Sequence, residues 1–188
     1  ARKDRPEMQR MFDRAVARAH EQKAPFVVDG PAPRSRPATA WSADGKTLAA
    51  ITDQYVSLFD DKAGFAETRR VRGFGSNVRA IAFSPDGKTL AVGTDDNVIR
   101  LLDTADYRET KQLLHESAKT PLSPYDGRDT LSAVAFSPDG ALLASASSDG
   151  GVQGIMRLWS LRGGKEPRPP QGGHSTNAIS FDATGKTL

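Results

Sequence analysis

The apolar residues of this chain follow two rhythms, and the change from one to the other marks its main boundary. Near the start, Met8, Met11, Phe12, Ala15, Val16 and Ala19 fall at i, i+3, i+4, i+7, i+8 and i+11, the spacing of one stripe on an amphipathic helix. Asp4 before Pro6 marks its start and Pro25 its stop. Residues 29–39, DGPAPRSRPAT, then read as a proline-rich, semi-rigid linker. Beyond it the apolar runs shorten to five or six residues. Val78–Phe83 (VRAIAF) and Leu131–Phe136 (LSAVAF) are apolar on both faces, as strands held between two sheets must be. Thr89–Gly93 and Val98–Leu102 read as the next two strands after Phe83, and the more polar Arg108–Leu114 as a fourth. Each such group predicts a four-stranded antiparallel sheet with its least apolar strand outermost, where Pro167, Pro169 and Pro170 are tolerated because an outer edge asks for no ladder N–H.

The same unit recurs. WSADGKTLAA from Trp41, FSPDGKTLAV from Phe83, FSPDGALLAS from Phe136 and FDATGKTL from Phe181 are four copies, spaced by 42, 53 and 45 residues. In the first three the Asp-Gly pair predicts the tight turn that joins the first strand to the second. A second landmark follows each complete copy in the same phase: Val56-Ser-Leu-Phe-Asp60, Ile99-Arg-Leu-Leu-Asp103 and Met156-Arg-Leu-Trp-Ser160. The expected layout is a basic amphipathic helix and connector in residues 1–28, a linker in 29–39, and a repeat segment in 40–188 whose inner strands end near Trp41, Phe83, Phe136 and Phe181.

Charge and composition narrow the functional classes. The 188 residues carry 26 Lys+Arg and 23 Asp+Glu, and residues 1–36 alone hold nine basic and five acidic residues. The helix is therefore basic, but Asp4, Glu7, Asp13 and Glu21 dilute its positive face, so its stripe is expected to pack on a neighbouring domain rather than on a membrane or nucleic acid. The absence of cysteine removes disulfide scaffolds, cysteine-ligated metals and thiol nucleophiles. No apolar run approaches the length of a membrane-spanning helix.

These landmarks resemble the WD40 repeat of β-propellers, with residues 38–188 covered. The resemblance implies an all-β fold: a partial propeller of three complete four-stranded blades and the start of a fourth, preceded by one helix. The SPDGK turn also occurs in TolB-like propellers, but the turn aspartate followed by Ile-Arg-Leu-Leu-Asp or Met-Arg-Leu-Trp-Ser is closer to WD40. In the blade of Phe136 the resemblance implies a structural chain of His115, Ser147, Asp149 and Trp159, with residues 116–130 inserted after the histidine. In the blade of Phe83, Phe74 and Leu102 stand where His and Trp would be, so no such chain closes there. Gly173-His174 opens the last blade with the family's dipeptide. Propellers close with about 4 to 8 blades, so three blades and a start are expected to be a piece of a longer ring; closure by a second copy or by a partner are the alternatives, and open blade faces would favour self-association.

Catalytic chemistry is not expected. No HExxH, P-loop or GxSxG pattern occurs, and no cofactor or metal ligand set stands out. Asp95-Asp96-Asn97 reads as a hairpin turn rather than a calcium loop. Arg69-Arg70-Val71-Arg72, with acids nearby and no interleaved aromatics in sequence, reads as a solvated outer strand rather than a nucleic-acid site. The innermost strands offer only Arg79 and Ser132 to a central channel. What remains is recognition by loops on a rigid scaffold. Residues 116–130 and 150–154 both lengthen one blade at one end, and Pro121, Tyr125, Arg128 and Gln153 are the candidate residues for docking a protein partner. The expected function is a non-catalytic protein-interaction scaffold; the alternative is a docking or sensor propeller attached to a catalytic domain that precedes residue 1.

Overall fold

The computed structural model describes residues 38–52, 54–115, 130–148, 154–163, 176–185 and 187. The chain divides at residue 37, and everything described lies in the second unit, residues 38–188. The helix expected over residues 1–28 lies outside the described residues.

Among the described residues three antiparallel sheets form, each taking its strands in chain order. The first contains β1 (Thr39–Trp41), β2 (Thr47–Thr52), β3 (Tyr55–Asp60) and β4 (Ala66–Val71), with a 3-10 turn at Asp61–Ala63. The second contains β5 (Val78–Phe83), β6 (Thr89–Thr94), β7 (Val98–Asp103) and β8 (Glu109–Leu114). The third contains β9 (Thr130–Phe136), β10 (Leu142–Ser148) and β11 (Met156–Ser160). The strands expected from the apolar runs are thus present, and the fold is all-β. The outer strand of the third blade, expected near the prolines, and Gly173-His174 lie outside the described residues.

The blades pack face to face, which explains why the inner strands are apolar on both sides. Ala49, Ile51, Val56, Leu58 and Val71 of blade 1 meet Phe74, Val78, Ile81, Leu90, Val92 and Leu102 of blade 2. The opposite face of blade 2, with Ala80, Ala91, Ile99, Leu101 and Leu113, meets Leu131, Val134, Leu143 and Trp159 of blade 3. Val78 and Ala80, two residues apart, face opposite neighbours because the strand bulges between them and the alternation of side chains restarts after it. A bulge falls at the polar residue of each of these inner strands, Arg79 in β5 and Ser132 in β9.

The repeated turn is longer than the two-residue hairpin that Asp-Gly suggests. In blade 2 the strands are joined through residues 85–88: Gly87 N–H donates to the Ser84 carbonyl at 2.9 Å, and Ser84 N–H to the Thr89 carbonyl at 2.8 Å. Side chains complete it, with Thr89 N–H donating to Ser84 Oγ at 2.9 Å and Ser84 Oγ to Asp86 Oδ1 at 2.6 Å. Ser42-Asp44 and Ser137-Asp139 repeat that geometry, and Asp182 takes the serine's place in the fourth copy, its carboxylate accepting from Thr187 N–H at 3.0 Å. The Ser84 hydroxyl and the Lys88 N–H hold the Asp86 carboxyl below its usual range. These turns also stack from blade to blade. A Cβ on Gly87 would meet Ala43, one on Gly140 would lie 3.3 Å from Pro85 Cγ, and one on Gly185 would lie 3.2 Å from Pro138 Cδ. Each of these glycines also has φ near +70°, the left-handed region that disfavours a side chain.

Candidate functional site

The most developed polar assembly is buried between blades 2 and 3. His115 follows β8 directly, and its N–H donates to the Asn97 carbonyl at 2.8 Å, which fixes it beside the β6–β7 turn. Its ring is fully buried. Ser145 Oγ, on β10, lies 2.8 Å from His115 Nδ1 and accepts the Trp159 indole N–H at 2.8 Å. The indole can only donate, which leaves the serine proton available to Nδ1 of the tautomer protonated at Nε2. That buried Nε2 has no partner among the described residues. Burial, with the nearby Arg157 cation second, lowers the His115 pKa to about 4, so the ring is neutral at physiological pH.

The serine of this chain corrects the sequence expectation. Ser147 lies on the same face of β10, but its hydroxyl accepts the Ile155 N–H at 3.3 Å and meets neither ring. Strand register explains this. Trp159 pairs with Leu143, so Ser145 is two residues along from the indole and Ser147 four, about 7 and 13 Å at the strand rise. Asp149, expected to accept from the histidine, lies outside the described residues, as do Pro121, Tyr125, Arg128 and Gln153.

Blade 2 fills the matching positions with hydrocarbon. Phe74, Val92 and Leu102 replace His115, Ser145 and Trp159, and all three are buried in the core between blades 1 and 2. Exchanging a whole hydrogen-bonded set for apolar groups leaves nothing unsatisfied and can be nearly neutral, whereas exchanging one member cannot. The polar ties of blade 2 move to its turns. The buried Thr94 hydroxyl accepts Arg100 Nη1 at 2.6 Å, while Arg100 Nη2 donates to Asp96 at 3.1 Å and Nε faces Glu109 at 3.5 Å. Asp95 accepts from Asn77 Nδ2 at 2.7 Å, from the Ser76 hydroxyl and from Arg79 at 3.4 Å. Burial alone would push both aspartates up; these donors outweigh it and hold both below the usual range. The two acids therefore serve the turn, as expected from their position.

The channel-side polar groups are engaged as well. Ser132 Oγ lies 3.1 Å from the Ala146 carbonyl and also meets that of Thr176, the first described residue of the fourth copy. Among the described residues no cluster of three or more His, Cys, Asp or Glu is placed to hold a metal, and no helix is long and apolar enough to cross a membrane.

Sequence reading missed the aromatic component of the outer strand. Arg70 and Arg72 lie over the ring of Tyr55, at 5.2 and 5.3 Å, and Arg69 lies 5.2 Å over Tyr107. Tyr55 enters from the neighbouring strand and Tyr107 from the next blade, so neither is interleaved with the arginines in sequence.

A protein-family model for the WD domain, G-beta repeat, matches residues 66–103 and 119–160. No curated protein matches the chain. The first match runs from β4 through β7, so one sequence repeat supplies the outer strand of one blade and the three inner strands of the next. Domains of this kind are generally non-catalytic and usually bind protein partners. With its blades, its stacked SPDG turns and its buried histidine–serine–tryptophan set, the chain carries WD40 repeats.

Proposed function

We propose that this chain is a non-catalytic scaffold that docks a protein partner through the lengthened loops of blade 3, with Pro121, Tyr125, Arg128 and Gln153 among the contacting residues. The observation that carries the reading is the register of β9 against β10. Thr130 pairs with Ser148, so the start of β9 and the end of β10 stand side by side at one end of the blade. The Ser147 N–H donates to the Ile155 carbonyl at 2.9 Å, which anchors the return into β11 at the same end. His115, the residue directly before the insertion, is buried and locked to Asn97 and Ser145. Two loops rooted on rigid strands at one place form a recognition surface at low ordering cost. His115 serves this as a strut: a fully buried, neutral imidazole bonded to Ser145 has no access to a substrate.

The test replaces residues 116–130 by a four-residue turn. The variant should melt as the parent does while losing the partner that cross-linking through a photoreactive group at Gln153 captures from native extracts. A variant that captures the same partner refutes the docking surface, and one that unfolds shows that the insertion is structural.

A further inference from the structure

The outer strands of blades 1 and 2 occupy the same place in the repeat and differ in what they present. β8 balances its charge: Glu109 faces Arg100 and accepts from Gln112, and Lys111 is its one cation. In β4, residues Ala66 to Arg70 are all exposed, and the strand lies at the edge of its sheet with its outer backbone groups unpaired among the described strands. Three arginines, Arg69, Arg70 and Arg72, fall within four residues there. Arg70 is held in a two-bond fork by Glu67, which also accepts from the Ser57 hydroxyl and feels the Arg72 cation. Arg69 donates to the Asp106 carbonyl at 2.7 Å, and Asp106 itself pairs with Arg108 at 3.2 Å. Among the described residues no carboxylate forms an ion pair with Arg69 or Arg72. Both instead lie over tyrosine rings, a contact that favours one placement of each guanidinium group before any ligand arrives.

Edge-strand backbone and unneutralised arginines are complementary to one kind of occupant. We propose that the β4 edge of blade 1 docks an extended acidic segment of a partner protein, which adds beside β4 as a fifth strand and sets carboxylates on Arg69 and Arg72. Alternation assigns the two arginines to opposite faces, because Arg72 shares Tyr55 with Arg70 whereas Arg69 reaches Tyr107 of blade 2. The segment must therefore carry acids three positions apart, on opposite faces, rather than acids at every second position. Main-chain pairing supplies affinity and the carboxylate–guanidinium contacts supply selection. The proposal rests on the scaffold reading but concerns a different surface from the blade 3 loops.

The experiment uses the full 188-residue chain and fluorescence anisotropy with a labelled octapeptide, VDEVDEVT, titrated at two salt concentrations. The control peptide PDEPDEPT keeps the charge and loses the N–H groups needed to join a sheet. Saturable binding is expected, weakening by about tenfold with the proline peptide and with the Arg69→Glu/Arg72→Glu variant. Arg72→Glu alone should show a smaller loss and leaves the Arg69–Tyr107 contact between blades intact. The chain with residues 116–130 replaced should bind the peptide as the parent does, so failure of the loop reading and failure of this one are separable. The proposal is overturned if VDEVDEVT does not bind, if the proline peptide or the arginine variants bind equally well, or if a thymidine pentanucleotide of the same charge binds more tightly. The first result would leave the arginines as guards against edge-to-edge pairing, and the last would make the site one for nucleic acid.

Discussion

Replacing Ser145 by alanine tests the buried polar chain at its centre. The hydroxyl serves two groups, accepting from Trp159 Nε1 and meeting His115 Nδ1, each at 2.8 Å. Both are cut off from water, the histidine at 0% and the tryptophan at 6% exposure. A buried polar group left without a partner costs about 1–3 kcal/mol, so Ser145→Ala should lose roughly 2–5 kcal/mol. Ser147→Ala is the internal comparison. It removes one 3.3 Å bond to an N–H on a partly exposed segment and should cost less than about 1 kcal/mol. Urea unfolding followed by circular dichroism and tryptophan fluorescence gives both values. For a domain of this size the Ser145 variant should also melt roughly 5–15 °C lower. Equal losses for the two serines, or a Ser145→Ala loss below about 0.5 kcal/mol, would refute the arrangement.

Acid should weaken the fold in a defined window. His115 titrates near 6.5 when unfolded and about 4 when folded, so between those values the unfolded chain binds the extra proton. Stability is therefore full above pH 6.5, falls by about 3 kcal/mol towards pH 4 and levels off below; denaturant melts of His115→Phe should lack that slope. The turn carboxylates Asp44, Asp86 and Asp139, held below their ordinary pKa by serine hydroxyls and backbone N–H groups, contribute above their unfolded values and are lost at lower pH. Gly140→Ala should cost about 1–2 kcal/mol for its φ of +67° alone, with further loss from Pro85 at 3.3 Å, whereas Gly93→Ala, whose nearest contacts are at 3.5 Å, should be neutral or slightly stabilising in thermal melts. Phe74→His should cost about 2–4 kcal/mol in urea unfolding, because Val92 and Leu102 offer a buried imidazole no acceptor; a smaller loss would show that this site is hydrated.

The repeat, the strand limits and the all-β class were legible from the sequence because they rest on local rules. An inner strand trapped between two blades has to be apolar on both faces, and Val78–Phe83 satisfies that condition without reference to any neighbour in space. Turn chemistry is local as well: Ser84, Asp86 and Gly87 close their hairpin with bonds inside six residues. Even the loss of the polar chain in blade 2 was readable, since Phe74 and Leu102 stand at positions that a repeat alignment already identifies.

The tertiary structure decided whatever depends on distance between segments. Ser145 and Ser147 are equivalent in type and face, and only the pairing of Trp159 with Leu143 selects the first as the hydroxyl between the rings. The stacking of Pro85 on Gly140 and Pro138 on Gly185 joins turns more than forty residues apart, so no local pattern could state it. The same holds for the arginines of β4. The sequence determined that they are basic, grouped within four residues and at the end of a polar strand, while the rings beneath them come from β3 and from the next blade. Local propensity fixes which residues form an element and which face is apolar; register and blade packing bring together residues far apart in the chain, and the contacts that give this protein its buried polar chain and its basic edge exist only at that level.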